Sequence, residues 1–87
     1  MKIKMVSKPQ IITAELYAPG MEDGWMSRAK EFHKTLDTIP SRIGTPVIED
    51  ESIIMPIKEG DYIVTNPDGS RYPTTLEILK THYTEIN

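Results

Sequence analysis

The stretch that most constrains the fold is residues 59–77, in which a strand, a turn, a return strand and a helix start follow one another. Residues 61–65 are rich in aromatic and β-branched side chains, which favour a strand. Residues 66–69 are all turn formers, so a β-hairpin returning over residues 70–72 is expected. Pro73 lacks an N–H and is expected to end the pairing, and Thr74-Thr75-Leu76-Glu77 matches the capping box that opens a helix.

The rest of the chain predicts an α+β fold, a small curved antiparallel sheet covered by one or two helices in a single domain over residues 1–87. Strands are expected over residues 10–17, 52–57, 61–65 and 70–72, with a shorter one at Val47-Ile48. Pro56 is expected to keep its strand at an edge or to cause a bulge.

Two helices are predicted, over residues 23–37 and 75–82. In the first, the large apolar residues recur at spacings of four, three and four, which is one face of a helix; they are Trp25, Ala29, Phe32 and Leu36. A short extended segment is expected after the second helix, at residues 83–86. The predicted core consists of Ile12, Leu16, Phe32, Ile54, Ile63, Leu76 and Leu79.

Composition excludes several classes of function. The chain has 87 residues, no cysteine and a formal net charge of −3, which argues against polymeric nucleic acid as a partner. It contains no apolar stretch long enough to span a membrane, and residues 1–6 do not resemble a signal peptide. We therefore expect an intracellular protein without a membrane partner.

No catalytic constellation, metal site or cofactor site is recognisable. His33 and His82 are the only histidines, and neither lies in a metal-binding or nucleophile-activating motif. The acidic trio Glu49-Asp50-Glu51 is interpreted as a solvated turn, because three consecutive carboxylates do not readily face one ion. The sequence therefore does not predict an enzyme.

Binding chemistry is concentrated where the hairpin meets the second helix. Arg71 offers a bidentate fork to phosphate, Tyr72 offers a ring for stacking on a base, and Thr74 lies at the expected helix start. Lys80 follows on the helix. The alternative is that Arg71 is a solvated hairpin residue and Tyr72 faces the core.

Three earlier residues complete the candidate ligand-binding set. Tyr17 either covers the rim of the core or faces a pocket. Trp25 begins the apolar stripe and is either a core or interface anchor or, if exposed, a ligand platform. Arg28 lies off that stripe, as a cation on a solvated face does.

The run Gly60-Asp61-Tyr62-Ile63-Val64, followed by Asp68-Gly69, Tyr72-Pro73 and Tyr83, resembles a common family of small phage-encoded proteins. Members typically begin with a strand that contains Lys-Pro, as at Lys8-Pro9. The resemblance covers both ends of the chain, whereas residues 25–44 correspond to a variable region. Thr74 replaces a cysteine that often follows the Tyr-Pro pair.

The resemblance implies a function in phage immune evasion. Some small phage proteins of this kind are anti-CBASS sponges, which sequester the cyclic nucleotide signals of bacterial defence without cleaving them. It implies that this chain binds a cyclic oligonucleotide, such as a cyclic dinucleotide, in the cytoplasm of the infected bacterial host. The expected assembly is a homodimer or higher homo-oligomer, because the core is small and a two-fold site suits a pseudo-symmetric ligand.

Two other classes of function compete with the sponge. A structural or host-interaction protein would bind a bacterial protein through the apolar face of the Trp25 helix and would expose a flat apolar patch. A small phosphodiesterase would destroy the signal, but the chain lacks a histidine pair suited to that reaction. A sponge would instead place a cation in a concave pocket.

Overall fold

Two antiparallel β-sheets form the framework of the protein in the computed structural model, which describes residues 1–7 and 10–86. Lys8-Pro9, part of the family resemblance, lies outside the described residues. The strands are β1 (Lys2–Ser7), β2 (Gln10–Leu16), β3 (Gly24–Met26), β4 (Phe32–His33), β5 (Thr45–Asp50), β6 (Ile53–Pro56), β7 (Tyr62–Thr65), β8 (Arg71–Thr74) and β9 (Thr84–Ile86). One α-helix, α1 (Leu76–His82), and a 3₁₀ turn, Leu36–Thr38, are the helical elements of the described residues.

Sheet A has five strands in the order β8-β7-β2-β1-β9, and sheet B has four in the order β4-β3-β5-β6. The described pairings within both sheets are antiparallel. The expected α+β class and antiparallel pairing are therefore confirmed, with one short helix. The curvature of the sheet stays a prediction.

The hairpin predicted from residues 61–72 is confirmed, with one correction at its end. The Gly69 N–H donates to the Asn66 carbonyl at 2.9 Å, and Gly69 has a φ of +92°, which glycine adopts without strain. Pro73 does not end the pairing: it lies opposite Ile63, and β8 continues to Thr74. Because β8 is an edge strand, the missing N–H of Pro73 costs no ladder hydrogen bond.

The second predicted helix is confirmed as α1. Its N-cap is Thr75, whose side-chain oxygen accepts a hydrogen bond from the Ile78 N–H at 3.2 Å. The capping residue is thus one position later than the capping-box pattern indicates. The extended segment expected after the helix is β9, which pairs with β1.

The first predicted helix is wrong. Residues 23–37 contain β3, a tight loop and β4, and Met26 lies opposite Phe32 in a short hairpin. Lys30 has a φ of +61°, a left-handed conformation that interrupts any helix there. The four-three-four spacing predicted a helix because it reflects only neighbouring residues. Strand β3 also pairs with β5, and a local sequence pattern carries no information about that distant partner.

The strand predicted at residues 52–57 is present as β6, but it belongs to sheet B and not to the sheet of the hairpin. Its edge position, expected from Pro56, is confirmed. The acidic trio is only partly a turn. Glu49 and Asp50 lie in β5, and the chain reverses at Glu51 and Ser52, both with positive φ.

Sheet A carries an apolar cluster on each of its two faces. On one face, α1 supplies Leu79 to a core that contains Met5, Ile12, Tyr62 and Val64. On the other face, Ile63 packs with Ile48 and Ile57, which come from β5 and the segment after β6.

The predicted core is partly correct. Ile12, Ile63 and Leu79 are buried, and Leu76 packs against the first core as a partly buried residue. The prediction is wrong for Leu16, which is exposed at the end of β2. Phe32 and Ile54 are only half-buried.

Strand β1 was not predicted, although its sequence carries the signal. Ile3 and Met5 are buried, whereas Lys2 and Lys4, which alternate with them, are exposed. This alternation is typical of a half-buried strand. Within the residues described, no helix is both long and apolar enough to cross a membrane.

Candidate functional site

A polar pocket of about 490 Å³ lies on the face of sheet A opposite α1. The sheet supplies Lys2, Thr13, Glu15, Ile63, Thr65 and Arg71, and residues 20–23 form a wall beside it. The volume falls within the range typical of small-molecule sites. Because these residues come from four strands and a loop, only the folded chain brings them together.

The strand register places a row of polar side chains across this face. Lys4 lies opposite Thr13, Thr13 lies opposite Thr65, and Thr65 lies opposite Arg71. Residues directly opposite one another in antiparallel strands project from the same face. The four therefore form a cation-hydroxyl-hydroxyl-cation row, of which Thr13, Thr65 and Arg71 line the pocket.

Three hydrogen bonds fix the two carboxylates in the wall of the pocket. Glu22 accepts hydrogen bonds from the Tyr17 hydroxyl at 2.6 Å and from the Gly20 N–H at 3.1 Å. Asp23 accepts a hydrogen bond from the Glu49 N–H of β5 at 2.8 Å. These contacts tie the loop to both sheets and give the pocket a fixed side.

Arg71 links the floor of the pocket to this wall. Its guanidinium forms an ion pair with Asp23 and donates a hydrogen bond to the Met21 carbonyl at 3.3 Å. Both members of the ion pair are 31% exposed, so solvent still reaches them. A guanidinium has five N–H donors, and the two contacts leave three for a ligand.

Tyr17 supports the wall from behind. Its ring packs with the Ile48, Ile57 and Ile63 cluster, and its hydroxyl is engaged by Glu22. Burial, reinforced by the hydrogen bond to Glu22 and by its charge, raises the pKa of Tyr17 to about 12. Tyr17 therefore remains a neutral donor at physiological pH and positions the loop.

No protein-family model, curated protein or solved structure matches this chain. The candidate site consequently depends on the geometry of the described residues.

The residues predicted to bind a ligand do not form one cluster. Of the seven, Arg71 lines the polar pocket, and Tyr17 lies behind its wall. Thr74 lies opposite Tyr62 and so belongs to the other face of sheet A, and Lys80 is exposed on α1. Trp25 is half-buried in β3, and Arg28 is exposed in the loop after it.

Tyr72 belongs to the core on the α1 side of sheet A, where it packs as a partly buried residue. Burial raises the pKa of Tyr72 to about 12, and the neighbouring Tyr83 hydroxyl adds to the shift. The side chain points away from the face that carries Arg71, because successive residues of a strand alternate. Stacking of a base in the polar pocket therefore does not involve Tyr72.

Sequence reasoning missed most of the pocket. Thr13, Glu15 and Thr65 carry no motif, and they join Arg71 only through the pairing of β2 with β7 and of β7 with β8. Asp23 reaches the same pocket from the loop before β3, through its ion pair with Arg71. The alternation of Lys2 and Lys4 with apolar residues was the one local signal that pointed to this face. The described residues contain no group of three or more histidine, aspartate or glutamate side chains placed to hold a metal ion.

Proposed function

We propose that this chain is a non-catalytic binding protein whose site is the polar pocket, and that its ligand is a cyclic oligonucleotide signal. The class of ligand follows the resemblance to phage sponge proteins. The observation that carries the proposal is the row of Lys4, Thr13, Thr65 and Arg71 across one face of sheet A. Two cations with two hydroxyls between them suit a ligand that carries more than one phosphate.

The dimensions of the row support this assignment. Three strand-to-strand steps separate Lys4 from Arg71, which is roughly 14 Å between backbones. Flexible side chains at both ends shorten the distance between the two charges. A ligand that lies across the strands would therefore meet a cation at each end and hydroxyl donors in its middle.

The guanidinium of Arg71 is preorganised to bind a phosphate. Its contacts with Asp23 and the Met21 carbonyl fix the guanidinium before a ligand arrives. Fixing a donor in advance lowers the entropy lost on binding. The three remaining N–H groups would form the charge-assisted hydrogen bonds to phosphate.

The carboxylates of the pocket limit how the ligand lies. Glu15, Glu22 and Asp23 line the same pocket as Lys2 and Arg71, so phosphate is repelled from most of the wall. We assign the phosphates to the cationic row and the N–H groups of the bases to the carboxylate side. No aromatic ring lines the pocket in the described residues, so hydrogen bonds and not stacking would hold the bases.

The test is calorimetric titration with a panel of cyclic di- and trinucleotides, followed by heat denaturation and chromatography of the released material. Intact nucleotide recovered stoichiometrically supports sequestration. Linearised product would indicate an enzyme. No heat with any member of the panel would reject the proposal in favour of a protein-binding role.

Thr65→Val tests whether the ligand lies in this pocket. The change keeps the shape of a half-buried side chain and removes a hydroxyl of the row. We expect weaker binding by about 1 kcal/mol, the usual contribution of one hydrogen bond. Thr74→Val is the matched control. Thr74 lies on the face of sheet A that points away from the pocket, so this variant should leave the affinity unchanged. Equal losses in both variants would place the ligand elsewhere.

We also propose that the chain works as a homodimer or higher homo-oligomer. The described chain has two small cores, one on each face of sheet A, and large apolar side chains such as Ile43 and Ile53 are exposed. Burial of such side chains in an interface would add to a limited core. Light scattering that gives a monomer with and without nucleotide would contradict this.

A further inference from the structure

A second concavity, of about 340 Å³, lies between the loop that joins β3 to β4 and the segment after the 3₁₀ turn. Its apolar lining includes Ala29, Pro40 and Ile39, of which Ile39 is only 2% exposed. Arg28 and His33 supply polar groups at the same concavity. It shares no lining residue with the polar pocket, so an inference about it goes beyond the proposed function.

The hydrogen bonds around His33 fix which ring nitrogen carries the proton. The Thr38 hydroxyl donates its only proton to the Thr35 carbonyl at 3.0 Å. It therefore accepts the hydrogen bond from His33 Nδ1, which lies 2.9 Å away. In the neutral imidazole, Nδ1 is therefore protonated, and Nε2 is an acceptor that has no hydrogen-bond partner among the described residues.

Two serine hydroxyls line the same concavity as His33. Ser27 Oγ accepts the Glu31 N–H at 3.2 Å, and Ser41 Oγ accepts the Ile43 N–H at 3.4 Å. Each hydroxyl keeps its own proton for a ligand. Together with the guanidinium of Arg28, they add donors to a concavity whose side-chain acceptors include His33 Nε2 and the Glu31 carboxylate.

We propose that this concavity binds a flat heterocycle that carries a carbonyl next to an N–H, the lactam edge found in uracil. The carbonyl accepts from Arg28, and the ring N–H donates to His33 Nε2. The ring packs on Ala29 and Pro40, the exposed apolar side chains of the lining. The positive charge of Arg28 is offset by Glu31 in the same lining, so a neutral ligand is favoured over an anion.

The probe is uracil, titrated at millimolar concentration into the ¹⁵N-labelled protein. Chemical-shift changes confined to residues 27–33 and 39–41 would support the proposal. 1,3-Dimethyluracil is the matched ligand, because it keeps both carbonyls and lacks both N–H groups. Equal binding of the two compounds, changes centred elsewhere, or no change with uracil would overturn the proposal.

Two variants test whether Arg28 binds the carbonyl of the lactam. Arg28→Gln should weaken uracil binding about tenfold, as expected for loss of a charge-assisted hydrogen bond. Lys30→Gln is its control, since Lys30 is an exposed cation of the same loop that does not line the concavity. The same loss in both variants would contradict a specific role for Arg28.

His33→Phe keeps a flat ring and removes the acceptor, so it should abolish the preference for uracil over 1,3-dimethyluracil. It also removes the bond to Thr38. Thr38→Val removes that bond and the bond to the Thr35 carbonyl but keeps the imidazole. Thr38→Val should retain part of the preference, because Nε2 remains on the ring. A long-range ¹H–¹⁵N spectrum of the imidazole checks the tautomer independently, and a proton on Nε2 in the neutral ring would overturn the assignment.

Discussion

At the scale of single residues, the two halves of the Arg71-Tyr72 pair have different roles although they are adjacent in the sequence. Arg71 projects into the polar pocket and Tyr72 projects into the α1 core, because β8 is a strand and alternates its faces. The sequence showed both residue types but left their directions open. Only the pairing of β8 with β7 decides them.

Tyr72→Ala is expected to destabilise the protein by about 2 to 3 kcal/mol, somewhat less than truncation of a fully buried aromatic. The reason is the loss of packing in the core that contains Tyr62, Val64 and Leu79. Urea unfolding measures the change, and Tyr72→Phe is the control that keeps the ring. If Tyr72→Ala left stability intact and abolished nucleotide binding, the placement of this ring in the core would be refuted.

Tyr17 makes the free energy of unfolding decrease at alkaline pH. Its pKa is raised from 10.0 to about 12 in the folded protein. Above pH 10 the unfolded chain therefore loses this proton first, and stability falls as the pH rises from about 10 to about 12. Below pH 10 the contribution is fully present.

Unfolding midpoints measured across this alkaline range check the effect. Tyr17→Phe should flatten the loss, because phenylalanine has no proton to release. Part of the loss should remain, since burial also raises the pKa of Tyr72 to about 12. An identical alkaline profile for wild type and Tyr17→Phe would show that Tyr17 does not contribute.

At the scale of elements, the sequence predicted the β7–β8 hairpin and α1 correctly, whereas it failed for elements that depend on long-range pairing. The hairpin of β7 and β8 and the start of α1 depend on neighbouring residues, so their patterns were readable. Strands β3 and β4 are too short to show an alternation, and β3 gains its main partner from β5. The polar pocket depends on pairings of the same long-range kind, and therefore only Arg71 among its lining residues was predicted.

Sheet B requires a residue without a side chain at Gly24. A Cβ atom at this position would lie 2.6 Å from the His33 carbonyl oxygen and 2.6 Å from the Phe32 ring. Since the carbonyl belongs to the backbone of β4, it cannot rotate away. Gly24→Ala should therefore destabilise the protein by roughly 1 to 3 kcal/mol, as overpacking does.

Hydrogen exchange locates the effect of Gly24→Ala. Protection should fall in β3, β4 and β5, whereas the amides of β1, β2 and β7 in sheet A should keep their protection. Uniform loss throughout both sheets would indicate that the two sheets unfold together. Unchanged protection in β3 and β4 would contradict the close approach of Gly24 to His33.

At the scale of the whole molecule, the two sheets overlap only in part. The chain measures 44 × 23 × 18 Å and has a radius of gyration of 14.1 Å, compared with about 12 Å for a compact chain of this length. Ile48 and Ile57 cover sheet A at Ile63, and the polar pocket occupies neighbouring positions of the same face. The pocket thus exists because sheet B does not cover all of sheet A.

The ion pair between Arg71 and Asp23 joins sheet A to the segment that leads into sheet B. A double-mutant cycle with Arg71→Gln and Asp23→Asn should give a coupling of about 0.5 to 1 kcal/mol, because the pair is partly exposed. Urea unfolding of the four proteins measures it, and the coupling should decrease at high salt. A coupling of zero would show that the remaining contacts hold the loop without this pair.

The position of sheet B in the sequence has a consequence for the order of folding. All four of its strands come from the continuous stretch 24–56, which lies between β2 and β7. The partners β2 and β7 meet only when the chain between them has been closed into a loop, and closing a flexible loop of that length lowers chain entropy. If the hairpin of β5 and β6 forms first, it shortens the flexible chain that remains to be closed. We therefore expect substitutions in β5 and β6 to slow refolding and those in β9 chiefly to speed unfolding, which stopped-flow kinetics would resolve.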